Sequence, residues 1–220
     1  MAGDTSATTA PTPASTPMTS NRPGMGMRMA AAALLLVGGI LAVVSAFTAW
    51  WALSFTGSSI SFLPGSSYTG SGFFGSQTVT YAAGGIGPVG GLYEAILALV
   101  IVAGILGIVA GLLGFVAAMG RLRENRHGMI KGLAIAAIVL ALVAVILAPA
   151  VQPWAFQDSA NNGSCSGLGL NGSSPCSAFW GSASSHGFTV SWGAADGWYL
   201  ALVAFVLTLV GFVLWRSNRN

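Results

Sequence analysis

Four stretches of the chain stay apolar for about 20 residues or more, the length an α-helix needs to cross the hydrocarbon of a bilayer. They run from about Ala30 to Trp51, Leu92 to Met119, Met129 to Ala148 and Gly197 to Trp215. Each is built mainly from Ala, Leu, Val, Ile and Gly, and in lipid such a run satisfies its backbone polar groups as a helix. Pro149 and Pro153 predict where the third run stops, because proline breaks the pattern of helical hydrogen bonds. The two long connections, 52–91 and 152–196, change character to Gly, Ser and Thr. Within them Ser59–Leu63, Gln77–Tyr81 and Phe188–Trp192 alternate β-branched or aromatic residues with small polar ones, between Gly and Pro turns, and are predicted as strands.

Small residues recur on each predicted helix at spacings of three and four. The first carries Gly38, Ala42, Ser45 and Ala49; the second Gly104, Gly107, Gly111 and Gly114; the third Ala134, Ala137, Ala141, Ala144 and Ala148; the fourth Ala201, Ala204, Thr208 and Gly211. The mean period of about 3.5 residues is that of a left-handed seam, and small side chains on a seam let backbones approach closely in lipid. The predicted fold is therefore an all-α membrane domain, a left-handed four-helix bundle over residues 29–216, with a small β-rich cap made by both outer loops. Tyr68, Phe73, Phe74, Tyr81, Phe179, Trp180 and Trp192 are expected to fill the cap's core. Trp50, Trp51, Trp154, Trp198 and Trp215 are expected in the interfacial belt at headgroup depth. Residues 1–28, rich in Ala, Thr, Ser and Pro, carry too little apolar surface to fold and are expected to form a disordered tail. Residues 217–220 form a short C-terminus.

Composition agrees with lipid as the main solvent. Of 220 residues 54% are hydrophobic and 6% are charged, against about a quarter charged in a soluble domain. The net charge is +3, but the basic residues sit beside the spans and form no nucleic-acid footprint. All eight fall on one side of the predicted topology: Arg22, Arg28, Arg121, Arg123, Arg126, Lys131, Arg216 and Arg219. By the positive-inside rule both termini are cytoplasmic, and the two long loops, which contain no Lys or Arg, lie outside the plasma membrane. The first run is about twice the length of a signal-peptide core and is read as a retained span.

Candidate chemistry is sparse. The two histidines, His127 and His186, lie outside the spans, so no haem, metal cluster or other cofactor is expected. Glu94 and Asp196 stand at the predicted outer ends of the second and fourth helices. There a carboxylate is favoured by the helix dipole, and in an oligomer the two could ring the outer mouth of a pore. Cys165 and Cys176 share the second outer loop and are expected to form a disulfide in an oxidising compartment. The sequons at Asn162 and Asn171 mark N-glycan acceptors in a host with that machinery.

Four helices, internal termini, outer loops forming a small sheet and Trp50-Trp51 at the end of the first helix resemble the claudin-like tetraspan proteins. That family carries a Trp, a Gly-Leu-Trp and paired cysteines in its first outer loop. The Gly-Leu-Trp and the cysteines are missing here, so no site residue transfers. The expected role is structural: an adhesion or membrane-organising protein, or an accessory subunit, with membrane lipid and other membrane proteins or itself as partners and no catalytic activity of its own. The other reading is a transporter or channel component acting as an oligomer.

Overall fold

The computed structural model describes residues 24–72, 75–121, 127–160, 174–185 and 188–217. Helix α1 spans Met25–Ser45, α2 Gly87–Ala118, α3 His127–Ala160 and α4 Asp196–Ser217. All four are long and apolar enough to cross a membrane. Neighbours pack in the cyclic order α1, α2, α3, α4, and α1 and α3 barely touch across the diagonal. One small cluster joins Ala31 near the start of α1, Ala117 near the end of α2, Ile130 near the start of α3 and Trp215 near the end of α4. The helices therefore run alternately up and down, with both described ends of the chain at one end of the bundle.

The small residues hold the helices at close range. Gly38 and Gly39 on α1 face different neighbours. A Cβ at Gly38 would stand 2.5 Å from the Thr208 hydroxyl oxygen on α4, and one at Gly39 would stand 2.5 Å from the Ile108 nitrogen on α2. Down the α2 stripe, Gly104 meets Gly39 and Val43, Gly107 meets Gly39, Gly111 meets Leu36 and Gly114 meets Ala32. On α3 the predicted Ala134, Ala137, Ala141, Ala144 and Ala148 are all buried. Backbones this close gain dispersion contacts that larger side chains would prevent. The hydroxyl groups on the seams bond within their own helices: Ser45 Oγ donates to the Ala42 carbonyl at 2.7 Å and Thr208 Oγ1 to the Ala204 carbonyl at 2.7 Å.

Both outer loops build one six-stranded antiparallel sheet in the order β4-β3-β2-β1-β6-β5. The strands are β1 Trp51–Phe55, β2 Ser58–Phe62, β3 Ser67–Gly72, β4 Gly75–Thr80, β5 Gly181–Ser185 and β6 Phe188–Ala194. The first loop supplies a four-stranded meander, and β6 from the second pairs with β1. Sequence alternation found β2, β4 and β6 and missed β1, β3 and β5, of which β3 and β5 are made almost wholly of Ser, Gly, Thr and Ala.

Several boundaries differ from the expectation, each for a local reason. Helix α1 begins at Met25, inside the predicted tail, and residues 1–23 lie outside the described residues. It ends at Ser45 rather than Trp51, because the Ser45 carbonyl accepts the Trp50 indole N–H at 2.8 Å and the Thr48 hydroxyl at 3.2 Å. These side chains cap an orphan carbonyl of the last turn and leave Ala49 beyond the helix. Helix α2 starts five residues earlier than expected, with a proline in its first turn, a position where the missing N–H costs nothing. Helix α3 runs through Pro149 and Pro153 to Ala160. Pro149 leaves the Val145 carbonyl without its helical donor, and the Trp198 indole of α4 donates to it instead at 3.0 Å. This is how a proline is tolerated inside a packed helix.

Helices α1 and α4, of 21 and 22 residues, suit a single crossing, whereas α2 and α3, of 32 and 34, exceed it by about ten residues each. The surplus stands at the sheet end, where Val89, Leu92, Tyr93 and Ile96 of α2 and Ala155 and Phe156 of α3 join one cluster with the strands. Two projecting helix ends thus form a platform on which the sheet rests.

The glycine seam predicts a sharp contrast between substitutions. Gly39→Val drives side-chain atoms into the α2 backbone and should destabilise the protein by about 1–3 kcal/mol, the usual cost of overpacking. Gly132→Ala on α3, with nothing within 4 Å of an added Cβ, should stabilise by up to about 1 kcal/mol through helix propensity. Thermal unfolding of both variants in mild detergent checks the pair; equal midpoints would refute the seam.

Candidate functional site

The most chemically distinctive region is the junction between platform and sheet. Trp50 and Trp51, expected to face the headgroups of an interfacial belt, are fully buried within the protein. Their polar atoms explain how burial is possible, since an indole N–H out of water needs a partner. Trp50 bonds Ser45, and Trp51 Nε1 donates to the Phe179 carbonyl of the second loop at 2.7 Å. Trp192 Nε1 donates to the Ala178 carbonyl at 3.0 Å.

Around Trp51 the rings form a continuous set. Phe62 on β2 lies at its centre, 5.0 Å edge-on from Trp51, 5.5 Å stacked on Tyr68 and 5.5 Å edge-on from Phe156 of α3. Tyr81 and Tyr93 stack at 5.9 Å with planes 3° apart. Arrangements of this kind are worth about 0.5–1.5 kcal/mol per pair beyond the area they bury. Tyr81 donates to the Leu63 carbonyl at 2.8 Å, and burial pushes its phenol well above its ordinary pKa, so it stays a protonated donor. Tyr93 donates to Gln152 Oε1 at 2.8 Å, and among the described residues the buried Gln152 Nε2 has no partner. A cavity of about 200 Å³ opens beside this set, lined by Trp51, Phe55, Ile60, Phe62, Tyr68 and Phe156 among others.

The other expected residues are distributed as follows. Tyr81, Phe179 and Trp192 are buried as predicted, Tyr68 is half-buried, and Trp180 is 49% exposed rather than in the core. Trp180 instead packs edge-on against Phe179 at 4.5 Å and Trp198 at 5.6 Å. Trp215 is buried in the opposite end of the bundle, and Trp154 is 75% exposed on the projecting part of α3. Glu94 is exposed and stands seven residues past the first residue of α2, so it does not cap that helix, whereas Asp196 is in the first turn of α4. Helices α2 and α4 occupy opposite corners of the bundle. Cys176 is half-buried and disulfide-bonded. Cys165, Asn162, Asn171, Phe73 and Phe74 lie outside the described residues.

Charge is sorted between the two ends. Among the described residues the acids Glu94, Asp158 and Asp196 are all at the sheet end, and the bases Arg28, Arg121, Lys131 and Arg216 are all at the other. The six strands contain no charged residue. No group of three or more metal-ligating side chains occurs among the described residues. The site can stack rings, enclose apolar groups and exchange neutral hydrogen bonds. Sequence reasoning missed the Tyr93–Gln152 pair because it ended α3 before Gln152, and nothing in the residue pattern announces that Trp51 will reach Phe179.

In comparison with known proteins, no family model matches the chain and no curated protein does.

The Tyr93–Gln152 pair gives a directional test. Tyr93→Phe leaves Gln152 with two unpartnered groups and should cost about 1–3 kcal/mol. Adding Gln152→Met, which removes the orphan atoms at similar volume, should restore most of that loss. Denaturant unfolding of the two single variants and the double variant measures the coupling; strictly additive effects would refute it.

Proposed function

We propose that the protein is a structural and interaction tetraspan of the plasma membrane, whose outer cap meets other membrane proteins or further copies of itself. In this reading the bundle is left-handed, the termini are cytoplasmic and the sheet stands outside. The observation that carries it is the raised six-stranded sheet on a platform of over-long helices. About ten residues on each of two helices exceed what a bilayer requires, and they pack beneath a sheet that no membrane span needs. The claudin-like layout supports the same role. So does the charge sorting, because the described bases all sit at the end assigned to the cytoplasm.

A surface free of charge engages partners without desolvating ions, a cost that often cancels the gain from ion pairing. Outward strand positions such as Thr69 and Ser191 are partly or fully exposed, so a lysine there should change stability by less than about 0.5 kcal/mol. The deciding measurement is the mass and polypeptide composition of the protein extracted in mild detergent, for the native chain and for Thr69→Lys/Ser191→Lys. A partner or second copy held at fixed ratio by the native chain and lost by the variant supports the role. A native chain that runs as a bare monomer refutes it, as does a composition indifferent to the variant.

The disulfide of Cys176 is assigned to Cys165, closing the second loop on the oxidising side. Non-reducing peptide mapping should recover the linked peptide, and Cys176→Ser should cost about 3 kcal/mol in the chain-entropy model. Recovery of Cys165 as a free thiol would overturn the pairing.

A further inference from the structure

The register of the first four strands places a second surface next to the aromatic cavity. Leu53 pairs with Ile60, Ile60 with Gly70 and Gly70 with Gln77, so these four positions share one face of the sheet. It is the face of the buried Trp51 and Phe62, directed towards the platform. Beyond the platform the same face continues as an open groove of about 520 Å³, which shares Phe55, Ile60 and Tyr68 with the cavity. Its lining is mixed: Gly70, Gly72 and Gly75 leave backbone bare between the Ser58 hydroxyl and the Gln77 amide, and Phe55, Ile60, Tyr68 and Val79 supply apolar side chains. A Cβ at Gly70 would find nothing within 4 Å, so the fold leaves this space open without requiring glycine to avoid a clash. Gly72 avoids the Ser58 hydroxyl, 2.8 Å from an added Cβ, and Gly75 turns with φ +101°. Gly70 is therefore the floor glycine without such a local cause, and glycine inside a strand weakens it and is found where a ligand or another backbone approaches closely.

The two compartments differ in chemistry. The cavity offers rings and aliphatic carbon. The groove adds bare backbone, the Ser58 hydroxyl and the Gln77 amide to its apolar side chains. Neither lining contains a charged residue, so an ionic headgroup would lose its hydration with nothing to compensate. We propose that this inner face binds a neutral amphiphile drawn from the surrounding bilayer, with its hydrocarbon chain in the cavity and an uncharged, hydroxyl-bearing head along the glycine floor. The bilayer is the source because the helices whose outer ends carry the cavity, through Ile86 beside α2 and Phe156 of α3, are long and apolar enough to cross a membrane. This inference goes beyond the interaction role and requires no protein partner.

The test uses the full chain in lipid nanodiscs containing either a diacylglycerol or a phosphatidylglycerol, each with a diazirine at the end of one acyl chain. After illumination, peptide mapping locates the adducts. The diacylglycerol should label peptides carrying Phe55, Ile60, Tyr68 or Phe156 about tenfold more than the anionic lipid, a factor equivalent to about 1.4 kcal/mol. Gly70→Leu fills the groove from open space, and Ile60→Trp fills the waist shared with the cavity. Each should remove most of that labelling while leaving the unfolding midpoint near that of the native chain. Adducts confined to the four spans, or equal labelling by the anionic lipid, would overturn the proposal. So would labelling that survives both substitutions.

Discussion

Two adjacent indoles hold the sheet to the bundle. Trp50 and Trp51 follow the last turn of α1, and out of water each must donate its N–H or lose more than a kilocalorie or so of stability. Trp50 donates backwards to Ser45, which ends the helix, while its own backbone bridges outwards. Its N–H reaches the Phe62 carbonyl at 2.8 Å, and its carbonyl accepts from Ala195 at 3.0 Å. Trp51 donates to Phe179 in the other loop. One dipeptide therefore sets the end of α1, the start of β1, the docking of β2 and the closure of the second loop onto the first. The start of α4 is seated there as well: the Gly197 N–H bonds the Ala49 carbonyl at 2.7 Å, and a Cβ at Gly197 would stand 2.5 Å from the Trp50 ring.

The bundle obeys a different constraint. Apolar side chains gain nothing by leaving hydrocarbon for one another, so helix association depends on close contact. The Gly38-Gly39 pair lets α1 lie tightly against α4 and α2 at once, and the α2 glycines extend the second contact along the helix. Where this ladder gives way to larger side chains, α2 and α3 continue upward and exchange lipid for the sheet as their neighbour. The prolines of α3 lie in that transition. Only an α4 that presents Trp198 to Val145 makes the break at Pro149 tolerable, so the platform's height depends on a contact between distant parts of the chain.

The residues disclose the two parts of the fold unequally. Span number and order follow from hydropathy, because a bilayer sets a length that few other environments demand. The α2 and α3 stripes were legible for the same reason, since small residues at helical spacing have few other uses. The aromatic junction was less accessible. Trp50 and Trp51 match the amphipathic pattern of an interfacial belt, and only the tertiary partners Ser45 and Phe179 reveal them as core. Pro149 is a helix breaker in local terms and becomes part of a helix through a residue 49 positions later. Strands β3 and β5 lack the alternation that marks a half-buried strand, because they are paired mainly through backbone and present little side chain to either face.

Those thin strands bear on how the cap works. A sheet of Ser, Gly and Thr gains little from side-chain packing, so β3 and β4 depend on the ladder and on the few rings that reach the platform, chiefly Phe62, Tyr68 and Tyr81. Stability is concentrated where the sheet meets the helices and declines towards Gly72 and Gly75. At Gly70, where an added Cβ would meet nothing within 4 Å, a β-branched residue would strengthen the strand. Leaving it as glycine keeps the inner face open, while the aromatic junction holds the sheet in register. Rigidity at the base and vacancy at the rim are the conditions under which a surface presents a preformed concave site, and here both follow from where the rings end and the glycines begin.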